Sequence, residues 1–276
     1  KTKKEDELWK TQCRQGFSGG GQSSLSTIRG IGAGREPYSA AEKRTTKPGF
    51  TLAEVLITLG IIGVVAAMTL PSLVNNSKGK ELEAQYKKAY SIITQAVNRM
   101  NAEQGYIANW SSYKACTDEF ANVFNKYFIM SVNCGKNGCS TFNDDDGNYL
   151  TDYKSYTGKA GSAIWFDDGQ FVVADSMFIS VNHCTQSNKI LIGVDINGKG
   201  KKPDRYGQDF FVFQIQEDGK VLPMGAKGTS AGGAGFDSAK QSADVFCNNT
   251  STNGLNGFTC AYKASTDKSF FANLPK

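Results

Sequence analysis

The feature that most restricts the fold of this chain is an apolar run of 25 residues, from Phe50 to Val74, in which Glu54 is the one charged residue. At about 1.5 Å per residue, a helix of this length extends roughly 37 Å, enough to cross a hydrocarbon core of about 30 Å with some tilt. A helix that is apolar on every face is not typical of a soluble core. The run therefore predicts a membrane-spanning helix over about residues 50–74, with a plain anchor or a signal-peptide core as the simplest interpretations.

Two details argue against both of these interpretations. A cleaved secretory signal has an apolar core of about 7–15 residues followed by a small-residue cleavage site. Here the small residue Gly49 precedes the run and comes directly after three basic residues, Lys43, Arg44 and Lys47. Glu54 lies one turn inside the span, where a carboxylate costs about 2.5–3.5 kcal/mol at the centre and less near an end. Its position predicts a functional role and a partner.

The segment Gly49-Phe50-Thr51-Leu52-Ala53-Glu54, followed by the apolar run and Pro71, resembles the N-terminus of type IV prepilins, which pilins share with type II secretion pseudopilins. The resemblance is close over roughly residues 47–105 and general beyond them. It implies that a prepilin peptidase cuts between Gly49 and Phe50 and that Phe50 is then N-methylated. It also implies that Glu54 neutralises the N-terminal amine of a neighbouring subunit.

A cut after Gly49 also divides the charges of the chain. Residues 1–49 carry ten Lys/Arg and five Asp/Glu, which leaves 21 of each in residues 50–276, so the net charge of +5 belongs to the leader. Nucleic-acid binding through net charge is therefore not expected, because it needs a concentrated basic surface. The basic residues just before the span predict that this end is cytoplasmic and that the rest faces the periplasm or the outside, as in a single-pass inner-membrane protein.

Residues 1–48 are polar, with a Gly/Ser-rich passage at 16–34, and are predicted to be disordered. The chain does not begin with Met, and the segment is long for a prepilin leader. We expect a mis-assigned gene start or a fragment, with a functional cytoplasmic arm as the alternative.

Pro71 is expected to kink the helix because it removes a backbone hydrogen bond. Gly60 and Gly63 are small residues for close helix packing, which the resemblance places in an assembled fibre. Beyond Pro71, apolar residues recur at steps of four and three along one helical face: Leu82, Tyr86, Ala89, Ile93, Ala96 and Met100. The pattern predicts one long helix over 50–105, ending near Gly105, with its second half packed on a globular head at 106–276.

Short apolar runs separated by turn residues predict strands in the head. Residues 163–166 and 171–174 flank Asp167-Asp168-Gly169 and predict a hairpin, and residues 210–216 and 221–222 predict a second one. Further strands are expected at 177–182 and 190–196, and a short helix at about 120–128. One long helix followed by antiparallel strands predicts an α+β fold with the helix packed across the sheet, which is also the pilin-like architecture.

Six of the seven cysteines lie beyond the span, and Cys13 lies in the leader. Six cysteines outside the cytoplasm predict up to three disulfides, with fifteen possible connectivities. Zinc is disfavoured because His183 is the single histidine and no CxxC pair occurs. Closing a loop of about 14 residues between the last two cysteines is worth roughly 3 kcal/mol, and pilins often have a disulfide-bounded C-terminal loop. The expected pairs are Cys247 with Cys260, Cys134 with Cys139, and Cys116 with Cys184.

Two acidic segments are candidate calcium loops, since calcium prefers six to eight oxygen ligands. Residues 144–147 resemble the opening of such a loop, but Ser155 stands where a glutamate is needed, so a solvated turn is expected there. Some pseudopilins bind calcium in the region of the second segment, residues 195–209. Three lysines in that segment oppose a cation, and its turn residues need no metal. Its candidate ligands are Asp195, Asn197, Asp204 and Asp209.

No catalytic set accompanies these features. His183 borders Cys184 without a second base, and there is no nucleophile elbow, phosphate loop or dinucleotide fingerprint. We therefore expect a structural subunit of a type IV pilus-like or type II secretion pseudopilus filament, in the periplasm or at the cell surface after assembly. Its expected partners are a prepilin peptidase, other pilin subunits and the membrane. The alternatives are a minor pilin that acts as an extracellular binding module in adhesion or DNA uptake, and a singly anchored periplasmic enzyme.

Overall fold

A computed structural model describes residues 49–136, 138–139, 153–161 and 166–276, and for residues 71–76 and 234 it describes the backbone alone. The chain divides into two units, Lys1–Thr51 and Leu52–Lys276. Four predictions lie outside the described residues. They concern the disordered leader, Cys13, the acidic turn at 144–147, and residues 163–165 of the first hairpin.

The longest element is α1, a single helix of 53 residues from Leu52 to Gln104. The predicted amphipathic stripe of its second half is buried, and Tyr86, Ile93 and Met100 are at most 1 % exposed. The helix ends one residue before Gly105, which has a φ of 71° and donates its amide to the Asn101 carbonyl. Gly105 is therefore the C-cap that the sequence predicts.

The head contains a six-stranded antiparallel sheet in which strands that follow each other in the chain are neighbours. This arrangement confirms the α+β fold. Two short strands, β7 (Ser230–Ala231) and β8 (Phe236–Asp237), pair separately, and the described part of the head also contains the short helices α2 (Glu119–Phe124) and α3 (Cys260–Thr266). The six strands are β1 (Met130–Gly135), β2 (Gln170–Val173), β3 (Phe178–Asn182), β4 (Ile190–Asp195), β5 (Phe210–Ile215) and β6 (Val221–Pro223).

Both faces of the central strands are buried, so these strands are apolar runs rather than alternating ones. On β5, Phe211 and Phe213 belong to the cluster that contains the stripe of α1. Phe210 and Val212 point the other way, as the period of two requires, and pack with Tyr206 and other aromatic side chains. The sheet therefore lies between α1 and a second layer formed by the loops of the head.

The first predicted hairpin is wrong, whereas the second is confirmed as β5 and β6. Strand β2 pairs with β1 on one side and β3 on the other, so it has no free edge for the predicted hairpin, and Phe166 is not in a strand. The sequence prediction missed β1, an exposed edge strand over Met130–Gly135, although its apolar residues Met130, Val132 and Cys134 alternate with more polar ones. This alternation with a period of two is the signal of a strand, so β1 was open to prediction from the sequence.

Candidate functional site

Gly49 and Phe50, the predicted processing residues, are both exposed. The Phe50 side chain is 89 % exposed. A Cβ atom added to Gly49 meets no described atom within 4 Å. Exposed main chain is what a peptidase requires, so the predicted cleavage position is open within the described residues.

Glu54 lies in the first turn of α1 and is exposed in the single chain. A carboxylate there interacts favourably with the helix dipole, typically by about 0.3–1 kcal/mol at an exposed position. A carboxylate in hydrocarbon costs more than this. The dipole alone therefore does not account for a glutamate inside a span, and pairing with the amine of a neighbouring subunit stays a prediction.

The segment Leu52–Leu70 is long and apolar enough to cross a membrane, and none of its 19 residues is buried within the chain. Large side chains such as Leu56, Ile57 and Ile62 are more than 60 % exposed. Around Gly60 and Gly63, an added Cβ atom would meet nothing within 4 Å. Such a continuous apolar surface needs lipid or other chains to cover it.

The second half of α1 is fixed to the head by buried tyrosines as well as by its apolar stripe. The Tyr86 hydroxyl donates to the Ala261 carbonyl oxygen at 2.5 Å and lies 2.6 Å from Ser265 Oγ, both in α3. The Tyr90 hydroxyl donates to the Val221 carbonyl oxygen at 3.1 Å. Burial raises the pKa of both tyrosines above the ordinary value, so the hydroxyls keep their protons. Pro71 lies between the two halves, inside α1, and its kink stays a prediction.

At Gly79, α1 approaches the main chain of the short turn Phe270–Ala272. A Cβ atom there would overlap the Phe271 carbonyl oxygen, a main-chain atom with little freedom to move. We expect Gly79→Ala to lower the free energy of unfolding by about 1–3 kcal/mol, as overpacking does. Because the overlap is with a main-chain atom, we expect the loss to outweigh the roughly 1 kcal/mol by which alanine favours a helix. Chemical denaturation of the purified chain in detergent micelles measures the difference.

Gly60→Ala and Gly63→Ala are matched controls, because they make the same change where an added Cβ atom meets nothing. We expect the unfolding of the head to be unchanged in these variants. If Gly79→Ala were as stable as Gly60→Ala, the close approach of α1 to Phe271 would be contradicted.

The structure joins the six cysteines of the head in the three pairs expected from the sequence and the resemblance. The Cα atoms are 4.3 Å apart in Cys116–Cys184, 5.4 Å in Cys134–Cys139 and 5.0 Å in Cys247–Cys260. The first bridge connects the segment before α2 to the chain just after β3. The third connects the 3-10 turn Ala243–Phe246 to the start of α3.

Of the four candidate calcium ligands, Asp195 is the last residue of β4 and the other three lie in the connection to β5. Asp195 accepts hydrogen bonds from the Tyr153 hydroxyl at 2.8 Å and the Gly198 amide at 3.0 Å. Asp209 accepts two main-chain amides at 2.7 Å, from Asp204 and Arg205. The carboxylates therefore already have donors that fix the turn without a metal.

The surroundings of these carboxylates include features that oppose the binding of a calcium ion and one that favours it. Burial raises the pKa of Asp195 to about 7, with the Asp209 charge adding to the effect, and burial raises the pKa of Asp209 to about 6. Lys202 pairs with Asp204, which opposes a second cation. The buried Asn197 Oδ1 atom has no hydrogen-bond partner in the described structure, and an acceptor without a donor favours a bound cation. No group of three His, Cys, Asp or Glu residues in the described ranges is arranged to hold a metal ion, and calcium stays a prediction.

His183 has a structural environment. It is fully buried, its Nε2 atom lies 2.9 Å from the Trp110 carbonyl oxygen, and its main-chain amide donates to Asp168 at 2.8 Å. Burial lowers the pKa of His183 and raises that of Asp168 to about 6. The neighbouring Cys184 is bonded to Cys116, so it is not a thiolate nucleophile. A Cys/His catalytic pair is therefore absent here.

Sequence reasoning missed Gly79 and α3 as the elements that hold α1 on the head. Gly79 stands three residues before Leu82, so it lies on the same helical face as the stripe. That spacing was the signal for a close approach. The short helix Cys260–Thr266 carries no such signal, because seven residues are too few for a clear period.

Residues 44–70 match the family described as the prokaryotic N-terminal methylation motif, the signature of type IV pilins and pseudopilins. No curated protein and no solved structure matches the chain. The motif and the apolar half of α1 fit a membrane-anchored pilin. Such a motif implies processing by a prepilin peptidase and assembly with other pilin subunits. The match ends at Leu70, so the head is interpreted from its own residues.

Proposed function

We propose that this chain is a structural subunit of a type IV pilus-like or type II secretion pseudopilus filament, cleaved after Gly49 and N-methylated at Phe50. The observation that carries the proposal is the methylation motif at residues 44–70, which from Leu52 onward lies in α1, a helix with two different halves. The half that contains the motif is exposed and apolar, and the other half is buried against a folded head.

The two halves of α1 suit the two environments of a filament subunit. Before assembly, lipid covers the apolar surface of Leu52–Leu70. After assembly, the same helices from neighbouring subunits cover it, and Gly60 and Gly63 allow their backbones to approach closely. The head keeps its own core throughout, because the contacts of Tyr86 and Tyr90 belong to the second half of the helix.

The proposed topology places the head in the periplasm or outside the cell. Lys43, Arg44 and Lys47 precede the span and favour a cytoplasmic N-terminal end. The three disulfides of the head suit the oxidising side of the membrane.

We further propose that the chain is not an enzyme. Its single histidine is buried against Trp110 and next to a disulfide, and filament assembly needs packing rather than bond chemistry.

Expression together with a prepilin peptidase and a pilin assembly machinery tests the filament role. The expected result is a chain that has lost its first 49 residues and is recovered in filaments of high molecular mass. A chain that is shortened but stays entirely monomeric in the membrane fraction would contradict the proposal.

A further inference from the structure

Five lysines lie at the end of the head nearest the span, and we call them the proximal lysine cluster: Lys78, Lys80, Lys199, Lys201 and Lys202. The first two are in α1 and the other three are in the β4–β5 connection. The Lys78 ammonium donates to the Lys202 carbonyl oxygen at 3.3 Å, which fixes the connection beside the helix. Between them is an open groove of about 410 Å³ lined by Ser77, Lys78 and Glu81 of α1 and by Asn197, Lys201 and Lys202.

The length of α1 sets the distance of this cluster from the membrane. Lys78 follows Leu70, the end of the apolar segment, by eight residues, which is about 12 Å of helix. The headgroup region extends roughly 5–7 Å beyond the hydrocarbon on each side of a bilayer. The remaining distance is shorter than the Debye length of about 8 Å at physiological ionic strength. Lys78, and the connection that it contacts at Lys202, are therefore close enough to interact with charged headgroups.

In the β4–β5 connection, the acidic side chains are buried and the lysine side chains are exposed. Asp195 and Asp209 are fully buried and Asp204 is 8 % exposed, whereas Lys199, Lys201 and Lys202 are exposed. The side chains of Asp195 and Asp209 point inward because they accept the main-chain amides that hold the turn, and Asp204 accepts from the Lys202 ammonium. A connection of nearly balanced composition thus presents a positive surface.

The conformation of the connection also keeps these lysines together. The Asn197 side-chain amide donates to the carbonyl oxygens of Lys201 and Lys202 at 3.3 and 3.2 Å. Exposed acidic groups near the cluster include Glu81, which lines the same groove, and Lys202 itself pairs with Asp204. The cluster keeps a positive excess after both are counted.

We propose that the proximal lysine cluster binds anionic phospholipid headgroups of the leaflet that faces the head, before the subunit leaves the membrane for the filament. The proposal rests on the proposed function, because it needs the apolar half of α1 to span the bilayer. Anionic headgroups attract juxtamembrane lysines by an amount that falls off within a Debye length. The contact holds the base of the head against the membrane surface.

Lysine labelling in nanodiscs tests the contact on the unaltered chain. The full chain is inserted into discs of phosphatidylcholine alone, or of phosphatidylcholine and phosphatidylglycerol in equal amounts. It is then treated briefly with an amine-reactive reagent and digested for mass spectrometry. We expect anionic discs to slow the labelling of Lys199 and Lys201 roughly fivefold, a factor that matches the attraction of one lysine to an anionic surface. At 1 M salt, where the Debye length is about 3 Å, the difference should disappear.

Two distant lysines are internal controls. Lys126 precedes Tyr127, whose ring lies 5.6 Å from the Arg99 guanidinium, and Lys220 follows Gly219, which packs beside Asn101. Arg99 and Asn101 are about 44–47 Å beyond Leu70 along α1. Labelling of these two lysines should not depend on the lipid.

Charge-reversal variants distinguish a contact made by the proximal lysine cluster from a general attraction of the whole chain to the anionic disc. Lys199→Glu/Lys201→Glu should abolish the lipid-dependent protection of Lys202, and Lys126→Glu/Lys220→Glu should leave it intact. Labelling that is the same in both discs, or that slows equally at distal and proximal lysines, would overturn the proposal. Protection that appears only in assembled filaments would assign the cluster to a neighbouring subunit and would also overturn it.

Whether the apolar half of α1 spans the bilayer is tested separately, by alkaline extraction. A chain that resists extraction but shows no lipid-dependent labelling overturns the lipid contact alone. A chain that is extracted from both kinds of disc overturns the membrane-spanning role and, with it, this proposal.

Discussion

Replacing Glu54 by alanine should leave cleavage after Gly49 intact and reduce filament recovery at least tenfold. Glu54 lies in the first turn of α1, inside an apolar segment that is exposed in the single chain. In an assembled filament, the carboxylate is predicted to neutralise the N-terminal amine of a neighbouring subunit. Removing one partner of a buried charge pair costs about 3–5 kcal/mol, because the other charge is left uncompensated. Recovery of sheared filaments, measured against the total processed subunit, gives the result.

Two further variants separate the proposed pairing from the simpler effects of the helix. Glu54→Gln has nearly the same shape but no charge, and we expect it to fail in assembly as the alanine variant does. Glu54→Asp keeps the charge near the helix dipole, which is worth about 0.3–1 kcal/mol, but shortens the reach of the carboxylate. We expect it to assemble partially. Normal incorporation of Glu54→Gln would remove the role that we assign to the charge.

Replacing Cys116 and Cys184 together by alanine should lower the free energy of unfolding by about 4 kcal/mol, the value that loop-closure entropy gives for a long loop. The two residues are 68 apart in the sequence and connect the segment before α2 to the chain after β3. Without the bridge, the unfolded chain gains freedom, and the α2 region loses its covalent connection to the sheet. Urea denaturation of the oxidised chain in detergent micelles measures the loss.

Cys134→Ala/Cys139→Ala is the matched control for this second prediction. Its bridge spans a separation of five residues, and the same model gives about 2 kcal/mol. Loop-closure entropy therefore predicts that loss of the Cys116–Cys184 bridge lowers the free energy of unfolding roughly twice as much as loss of the Cys134–Cys139 bridge. Equal losses in the two double variants would show that the Cys116–Cys184 bridge does not constrain the unfolded chain as proposed.

Local patterns predicted most of the fold because they lie in long or strongly apolar segments. The stripe from Leu82 to Met100 predicted the buried face of α1, and the apolar runs of β3, β4 and β5 predicted the centre of the sheet. The partner of β2 was not predictable in the same way. Strand β2 pairs with β3, which the sequence predicted, and with β1, an exposed edge strand that was not predicted. Strand pairing depends on the whole sheet, so a local signal does not decide it.

The candidate site also has features that the local sequence predicted and others that depend on the fold. The spacing of Gly49, Phe50 and Glu54 was visible in the sequence, and residues 44–70 match the methylation motif. The proximal lysine cluster was not visible, because it joins α1 to a loop more than a hundred residues away through the contact of Lys78 with Lys202. The inward direction of Asp195 and Asp209 also depends on the fold. The composition of residues 195–209 suggested a calcium site, whereas the folded segment presents exposed lysines and therefore a positive surface.

The mature N-terminus tests the central claim most directly. The full chain is expressed in cells with and without a prepilin peptidase, and the intact mass and N-terminal peptide of the purified product are measured by mass spectrometry. With the peptidase, we expect a chain that begins at N-methylated Phe50, and without it a chain that retains Gly49 and the residues before it. A product that begins anywhere other than Phe50, or that is the same in both cells, would contradict the account.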